Sequence, residues 1–281
     1  MKLVALVNIL VSLVVFDQLH GQANFVKSPD SVRIAYEVHG DGSPALVFVH
    51  GWSCDRSYWK NQLGSFSKNF KVVAIDLAGH GESGLERNSW TMEAFGADVA
   101  SVIKRLDLKR VILIGHSMGG DVIAEAARQL PRGTVAGLIM IDTYKKLGPG
   151  RTPEEVNVFI SHMKQDFKDS TRAFVKHMFG ARADSTLVNT VEEDMSSAPP
   201  HIALDALEHA LSYSRQMPHT LEELKMPVVA LNADNSPTDV ESMKRYGVQV
   251  MIMPGVGHFM MMEDPDRFNR LLKSAIDKLT Q

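Results

Sequence analysis

Short apolar runs alternate with helix-like segments along most of the chain. Residues 32–39 alternate between apolar and polar side chains, which indicates a half-buried strand. Continuous apolar runs bounded by turn residues indicate further, buried strands at 45–49, 71–75, 111–114, 138–141, 228–231 and 248–253. Helical spacings separate most of these runs. The pattern therefore predicts an α/β fold with a mostly parallel central sheet flanked by helices.

The alternation stops between residues 144 and 224. Apolar residues in this segment recur at helical spacing, as in Phe174 and Met178 or Leu207 and Leu211. The segment lies between the predicted strands at 138–141 and 228–231, so it predicts a helical cap inserted after strand 6, the strand at 138–141. Because the carboxyl ends of parallel strands meet at one edge of a sheet, we expect the cap to cover that edge.

The first 23 residues differ from the rest of the chain. Lys2 precedes a nearly unbroken apolar stretch over 3–16, and the small residues Gly21 and Ala23 suit a cleavage site. The stretch is shorter than the roughly 20 residues that span a bilayer. We predict a signal peptide at 1–23, a single domain at 24–281, a secreted or periplasmic location and no stable membrane anchor after processing. The alternative is an N-terminal helix packed on the domain.

Composition limits the classes of partner and cofactor. A formal net charge of −3 and the absence of a basic run argue against a nucleic-acid partner. Cys54 is the single cysteine, so neither an intrachain disulfide nor a thiolate metal cluster can form. The spacing of His50, His80 and His116 matches no common zinc pattern. The sequence therefore predicts neither a metal site nor a bound cofactor.

The run VILIGHSMGG at 111–120 carries the strongest chemical signal. A serine hydroxyl is a poor nucleophile unless the backbone holds it exposed beside a base, and a tight turn from strand to helix does so. Gly115 and Gly119 leave room for this turn, because a Cβ at either position would press on the neighbouring strand or the first helical turn. Helical spacing follows as far as Pro131. The run predicts a displayed, nucleophilic Ser117.

Two further polar residues follow predicted strands. Asp234 comes after the strand at 228–231, and His258 comes after the strand at 248–253. With Ser117 they appear in the order nucleophile, acid, base. A base must reach the hydroxyl while an acid fixes the tautomer of the base, and three loops at one sheet edge can converge in this way. We predict a catalytic triad of Ser117, Asp234 and His258.

A candidate oxyanion hole follows the strand at 45–49. Gly51 lets the backbone approach the turn at Ser117, and the backbone N–H of Trp52 is expected to join that of Met118. Two such donors would bind the oxyanion of a tetrahedral intermediate, and each is worth about 10² to 10³ in rate.

From about residue 31 to its C-terminus, the chain resembles the α/β-hydrolase superfamily, in particular its capped single-domain serine esterases and their cofactor-free perhydrolase and haloperoxidase-like relatives. Four motifs carry the resemblance: HGW at 50–52, DLAGHGES at 76–83, GHSMGG at 115–120 and GHFMMMEDP at 257–265. The resemblance implies that Ser117 is the nucleophile, that His258 acts as general base and then acid, and that Trp52 and Met118 are the oxyanion donors. It also implies that the loop at 76–83 is structural.

One departure from the family pattern concerns the acid. The family commonly has an acidic residue about four positions before a proline that follows its seventh strand. Here Asp234 stands three positions before Pro237, and Ala233 stands four before it. We interpret this as a shortening by one residue that keeps Asp234 as the acid. Asp142, at the end of the sixth strand, is the alternative because some relatives place the acid there, and Asp239 is a third candidate.

The serine at the turn excludes the branches of the superfamily that use an aspartate nucleophile, the haloalkane dehalogenases and epoxide hydrolases. The resemblance implies hydrolysis of a small or medium carboxylic ester through an acyl-enzyme on Ser117. A carbon–carbon bond hydrolase, a cofactor-free perhydrolase, and a ligand receptor with an intact triad and slow turnover stay open. The substrate and the oligomeric state also stay open. Trp52, Phe259 and the methionines at 260–262 either line an apolar pocket or pack behind the histidine loop.

Overall fold

A computed structural model describes residues 23–280, and its centre is an eight-stranded sheet. The strands are β1 Asn24–Lys27, β2 Arg33–His39, β3 Ala45–Val49, β4 Lys71–Ile75, β5 Val111–His116, β6 Val135–Ile141, β7 Val228–Ala233 and β8 Val248–Met253. The helices are α1 Lys60–Phe66, α2 Met92–Arg105, α3 Met118–Gln129, α4 Pro153–Gln165, α5 Phe167–Lys176, α6 Ser185–Ser196, α7 Pro200–Tyr213, α8 Met217–Leu224, α9 Val240–Arg245, α10 Met260–Glu263 and α11 Pro265–Thr280.

The order of the strands creates a crevice at the centre of the sheet. The order is β1-β2-β4-β3-β5-β6-β7-β8, with β1 and β2 antiparallel to their neighbours and the remaining strands parallel. The chain adds β4 on one side of β3 and then crosses to add β5 on the other side. Ligands of open α/β sheets bind at such a switch point, outside the carboxyl ends of the strands. The loops after β3 and β5 therefore share the position where a site is expected.

The predicted mostly parallel sheet is confirmed. Every residue of β3, β5 and β7 is buried, as fits strands covered by helices on both faces. On α11 the buried residues recur every three or four positions and pack one apolar face against the sheet. The sequence missed β1, whose four residues are mostly exposed at the sheet edge. Such a strand lacks the alternation by which half-buried strands are recognised.

Helices α4–α8 occupy the chain between β6 and β7, where the sequence predicts a helical insertion. Local chemistry fixes where they begin. Thr152 and Glu155 form a capping box at the start of α4, with Pro153 in the first turn, and Asp166 and Asp184 cap α5 and α6. Within residues 23–280, no helix has the length and apolar character to cross a membrane. Residues 1–22 of the predicted signal peptide lie outside the described residues, and the signal peptide stays a prediction.

Candidate active site

Ser117 stands on a sharp turn between β5 and α3. Its backbone has φ 53° and ψ −122°, a conformation that a residue other than glycine rarely adopts, and its amide donates to Ile141 O at 2.9 Å. A Cβ on Gly115 would lie 2.1 Å from Gly119 O, and one on Gly119 would lie 2.6 Å from His50 O. Neighbouring backbone atoms come so close to both positions that only glycine fits, as the sequence predicts. Among the described residues, the Ser117 hydroxyl donates no hydrogen bond.

The loop that carries His258 is tied to the helical insertion. The His258 amide donates to Met178 O at 2.7 Å. The Glu263 carboxylate accepts from the Gly257 amide at 3.0 Å and from the Gly180 amide at 3.1 Å. These bonds explain why the motif after β8 contains an acidic residue five positions beyond the histidine. They tie the backbone of the histidine loop to the loop between α5 and α6.

The carboxylate that contacts His258 belongs to Asp142. His258 Nδ1 and Asp142 Oδ2 are 2.7 Å apart. A carboxylate can only accept, so Nδ1 carries the proton and Nε2 is left free to act as a base. The second carboxylate oxygen, Oδ1, accepts from the Ala233 amide at 2.8 Å and from Lys145 Nζ at 2.6 Å. Asp142 has a positive φ of 47°, which turns its side chain out of the line of β6.

The surroundings of Asp142 keep it ionised. Burial alone would raise its pKa, but the hydrogen bond and charge of His258, together with those of Lys145, lower the pKa to about 2. The side chain of Lys145 also donates to Ala233 O at 2.6 Å. One lysine therefore links the loop after β6 to the end of β7 and supplies a positive charge to the carboxylate.

The expectation that Asp234 would hold the histidine is corrected by this geometry. Asp234 is exposed, and its carboxylate accepts from the Gly255 amide at 2.7 Å, so it joins the loops after β7 and β8 outside the site. Asp239 caps α9 by accepting from the Ser242 amide at 2.9 Å. The shortened loop after β7 does not bring an acid to His258, and the loop after β6 supplies one instead.

A second histidine supports the first. The ring of His116 lies 4.5 Å from that of His258, and its Nε2 donates to the His258 carbonyl at 3.0 Å. Burial, followed by the nearby His258, holds the pKa of His116 well below its ordinary value. His116 is therefore a neutral donor that fixes the backbone of the histidine loop.

The two predicted oxyanion donors are Trp52, in the loop after β3, and Met118, the first residue of α3. A Cβ on Gly51 would approach Ser117 Cβ to 3.2 Å, so the loop after β3 packs directly against the turn at the serine. The amides of Trp52 and Met118 donate to no residue within 23–280. The Trp52 indole donates to Ala203 O at 2.7 Å, which anchors this loop to α7.

The loop at 76–83 serves the structure, as the resemblance implies. The Asp76 carboxylate accepts from the amides of Arg56 and Glu82 and forms an ion pair with the Arg56 guanidinium. His50 donates through Nδ1 to Gly51 O at 2.8 Å and accepts through Nε2 from the Leu77 amide at 3.0 Å. Both nitrogens of His50 are thus used to hold loops together.

Ser117 and His258 border one cavity of about 610 Å³. The insertion between β6 and β7 contributes much of its wall, including Phe174, Met178, Met195, Leu207 and Leu211. Trp52 and Phe259 also line it, whereas the methionines at 260–262 do not. Met260 and Met261 are fully buried, so they pack behind the histidine loop.

The family model described as "Alpha/beta hydrolase family" matches residues 46–271. The chain belongs to this family. As an alpha/beta hydrolase, it has esterase and non-heme haloperoxidase or perhydrolase homologues at modest identity.

Among curated relatives, this alpha/beta hydrolase is 36% identical to a non-heme chloroperoxidase of Streptomyces lividans over 41% of this chain and 43% of the relative. It is 24% identical to the non-heme chloroperoxidase CPO-A1 of Kitasatospora aureofaciens over 89% of this chain and 98% of the relative. For most of the curated relatives considered, the match spans about half of their length or less. A solved structure of a thermophilic esterase from Thermogutta terrifontis, with malate bound, is 25% identical in sequence to this chain. The two structures align with a TM-score of 0.78, and the alignment covers 93% of this chain and 100% of the esterase.

Sequence reasoning missed Lys145 and ranked Asp142 second in this alpha/beta hydrolase. The signal for Asp142 is its place immediately after a continuous apolar strand. Ser117 and Trp52 likewise follow the ends of buried strands. Nothing in the sequence marks Lys145, because a surface lysine after a strand is common and its contact with Asp142 depends on the fold of the loop.

Proposed function

We propose that the protein is a serine hydrolase that cleaves small or medium carboxylic esters through an acyl-enzyme on Ser117. The observation that carries the proposal is the 2.7 Å contact between His258 Nδ1 and Asp142 Oδ2 beside a serine displayed in the same cavity. A base oriented by a buried carboxylate next to an activated hydroxyl is the arrangement that acyl transfer requires. The triad proposed is Ser117, His258 and Asp142.

In the first half of the cycle, Ser117 Oγ attacks the ester carbonyl and His258 Nε2 takes the hydroxyl proton. Asp142 stays ionised and stabilises the imidazolium that forms. The carbonyl oxygen becomes an oxyanion, for which the unused amides of Trp52 and Met118 are the proposed donors. The imidazolium then protonates the leaving alcohol as the carbon–oxygen bond to it breaks.

In the second half, His258 removes a proton from water, and the hydroxide attacks the acyl carbon. The second tetrahedral intermediate collapses, the acid leaves, and Ser117 Oγ recovers its proton from His258. No hydrogen bond joins Ser117 Oγ to His258 among the described residues, and such catalytic hydrogen bonds often tighten only when substrate binds. Helices α4–α8 act in this proposal as a cap that forms the substrate wall.

A second candidate activity is perhydrolysis, which the match along nearly the whole of a non-heme chloroperoxidase favours. Hydrogen peroxide would replace water as the second nucleophile. One peroxide oxygen attacks the acyl carbon, His258 accepts its proton and passes it to Ser117 Oγ, and a peracid is released. Asp142 and the oxyanion donors keep the same roles, so the two activities differ only in which nucleophile enters the cavity.

The test is the pre-steady-state hydrolysis of p-nitrophenyl acetate and butyrate. We expect a burst of p-nitrophenol equal to one equivalent of enzyme, followed by slower turnover, because alcohol release precedes hydrolysis of the acyl-enzyme. Ser117→Ala should abolish the burst and lower kcat by at least about 10⁴. Adding hydrogen peroxide with monochlorodimedone and bromide measures peracid formation in the same preparation.

A covalent label distinguishes the proposed nucleophile from other serines. A fluorophosphonate should add one mass increment to the peptide that contains Ser117 and none after Ser117→Ala. Turnover that is retained by Ser117→Ala, or hydrolysis of no ester in a panel with acyl chains of two to eight carbons, would contradict the proposal.

A further inference from the structure

Asp121 is one of the polar residues that interrupt the apolar wall of the cavity that Ser117 borders. Asp121 is only 4% exposed, yet it borders the cavity. It lies in the first turn of α3, four residues after Ser117 in the chain, and both residues line the same cavity. Asp121 and Ser117 therefore border the same space, in which an ester would bind.

Only half of this carboxyl is satisfied by the protein. Its Oδ1 accepts a hydrogen bond from the Tyr144 hydroxyl at 2.7 Å. Its Oδ2 has no hydrogen-bond partner in the part of the chain that the structure describes. A carboxylate oxygen that the protein leaves without a partner at the wall of a cavity is open to a hydrogen bond from a ligand group.

The environment also defines which ligand group fits. Burial raises the pKa of Asp121 to about 8; the hydrogen bond from Tyr144 lowers it, and the charge of Glu125 raises it further. Near neutral pH the carboxyl therefore exists in both protonation states. The protonated form donates and the ionised form accepts, and a hydroxyl group can pair with either one.

The surrounding wall makes this contact selective. Phe174, Leu207 and Leu211 supply apolar surface in the same cavity. Ser214, another polar residue of the wall, already donates to Leu211 O at 2.7 Å and accepts from the Arg151 amide at 3.1 Å. A few placed polar groups in an apolar pocket fix the orientation of a ligand.

We propose that Asp121, held in place by Tyr144, is a specificity-determining residue that binds a hydroxyl group of the substrate. The favoured substrates are then hydroxylated esters, in which the hydroxyl lies a few bonds from the ester carbonyl. This inference rests on the proposed esterase function and adds the substrate class.

The experiment compares ester pairs in which a methyl group replaces a hydroxyl at constant shape. The pairs are ethyl 3-hydroxybutyrate with ethyl 3-methylbutyrate, ethyl 5-hydroxyhexanoate with ethyl 5-methylhexanoate, and 2-hydroxypropyl acetate with 2-methylpropyl acetate. Acid release gives kcat/KM for each ester. In at least one pair, the wild-type protein should prefer the hydroxylated ester by about tenfold, the effect of one well-placed hydrogen bond.

Two substitutions at the same position provide the test and its control. Asp121→Leu removes the polar group and should lower the preference to about one, whereas Asp121→Asn keeps the shape and both hydrogen-bonding roles and should retain most of the preference. Tyr144→Phe should lower the preference for the hydroxylated ester part of the way, because the Asp121 carboxyl loses the hydrogen bond from the Tyr144 hydroxyl. The preference is the ratio of kcat/KM for the two esters of a pair within one variant, so a general loss of activity cancels.

Three results would overturn the inference in distinguishable ways. A wild-type ratio near one in all three pairs, with measurable hydrolysis, removes the hydroxyl contact and leaves the esterase proposal intact. A preference that Asp121→Leu retains assigns the contact to another residue. Hydrolysis of none of the six esters contradicts the proposed function and the inference together.

Discussion

The loops after β6 and β7 each place an aspartate just beyond a buried strand, but their surroundings differ. Asp142 is 7% exposed and contacts a histidine, a lysine and a backbone amide. Asp234 is exposed and accepts one hydrogen bond, from the Gly255 amide. The backbone of Asp142 has a positive φ, and its carboxylate reaches His258 of the loop after β8.

The difference shows what an orienting acid needs besides its place in the chain. A carboxylate in water interacts weakly with an imidazole, whereas a buried one with defined partners interacts strongly. The Ala233 amide, at the end of β7, donates to Asp142. The β7 loop therefore supports the acid of the β6 loop instead of supplying its own.

The largest expected effect separates the two aspartates directly. Asp142→Asn should lower kcat by about 10⁴, because an amide no longer fixes the productive tautomer of His258 or stabilises its charge. Steady-state hydrolysis of a p-nitrophenyl ester measures this. The matched control is Asp234→Asn, for which we expect a change of less than about threefold. A larger loss of kcat in Asp234→Asn than in Asp142→Asn would mean that Asp234, in the loop after β7, is the orienting acid.

A smaller effect is expected from the lysine that bridges the two loops. Lys145→Met removes a charged hydrogen bond from Asp142 at 2.6 Å and one from Ala233 O. A hydrogen bond to a charged group is worth about 1.5 to 3 kcal/mol, so kcat/KM should fall about 10- to 100-fold.

The control for this variant is Lys146→Met. Lys146 is exposed, borders the same cavity and forms no ion pair with a described residue. Its loss should change kcat/KM less than about twofold. Equal losses in the two variants would mean that the positive charge at the rim matters and that contact with Asp142 does not.

The sequence predicted the central sheet well because buried parallel strands are continuous apolar runs, and all seven predicted strands occur. It placed Ser117 and His258 on loops that meet at one cavity because parallel strands bring their carboxyl ends together. It ranked Asp234 above Asp142, the carboxylate that contacts His258, because both aspartates follow a predicted buried strand. Only the turn at Asp142 and the loop geometry after β7 distinguish them. Asp121 carries no signal at all, since its position on α3 looks like any polar helix residue.

The difference between the aspartates also predicts a pH dependence of stability. Asp142 has a pKa of about 2 in the folded protein against an ordinary value of 3.8. A lowered pKa stabilises the folded state above about pH 4, and this contribution, about 2 kcal/mol, is lost as the pH falls from about 4 to 2.

Urea unfolding between pH 2 and 5 measures this contribution. The free energy of unfolding should fall more steeply with decreasing pH in the wild type than in Asp142→Asn. Equal slopes for the wild type and Asp142→Asn would contradict the strong pairing of Asp142.

The smallest effect concerns the remaining aspartate of the β7 loop. Asp239 accepts from the Ser242 amide at 2.9 Å and caps α9, so Asp239→Ala should cost about 1 kcal/mol of unfolding free energy. In a domain of this size the melting temperature should fall by about 2 to 4 °C. Because Asp239 does not contact His258, kcat should stay within about twofold of the wild type. A large loss of kcat with an unchanged melting temperature would mean that the β7 loop takes part in the chemistry as well as in the fold.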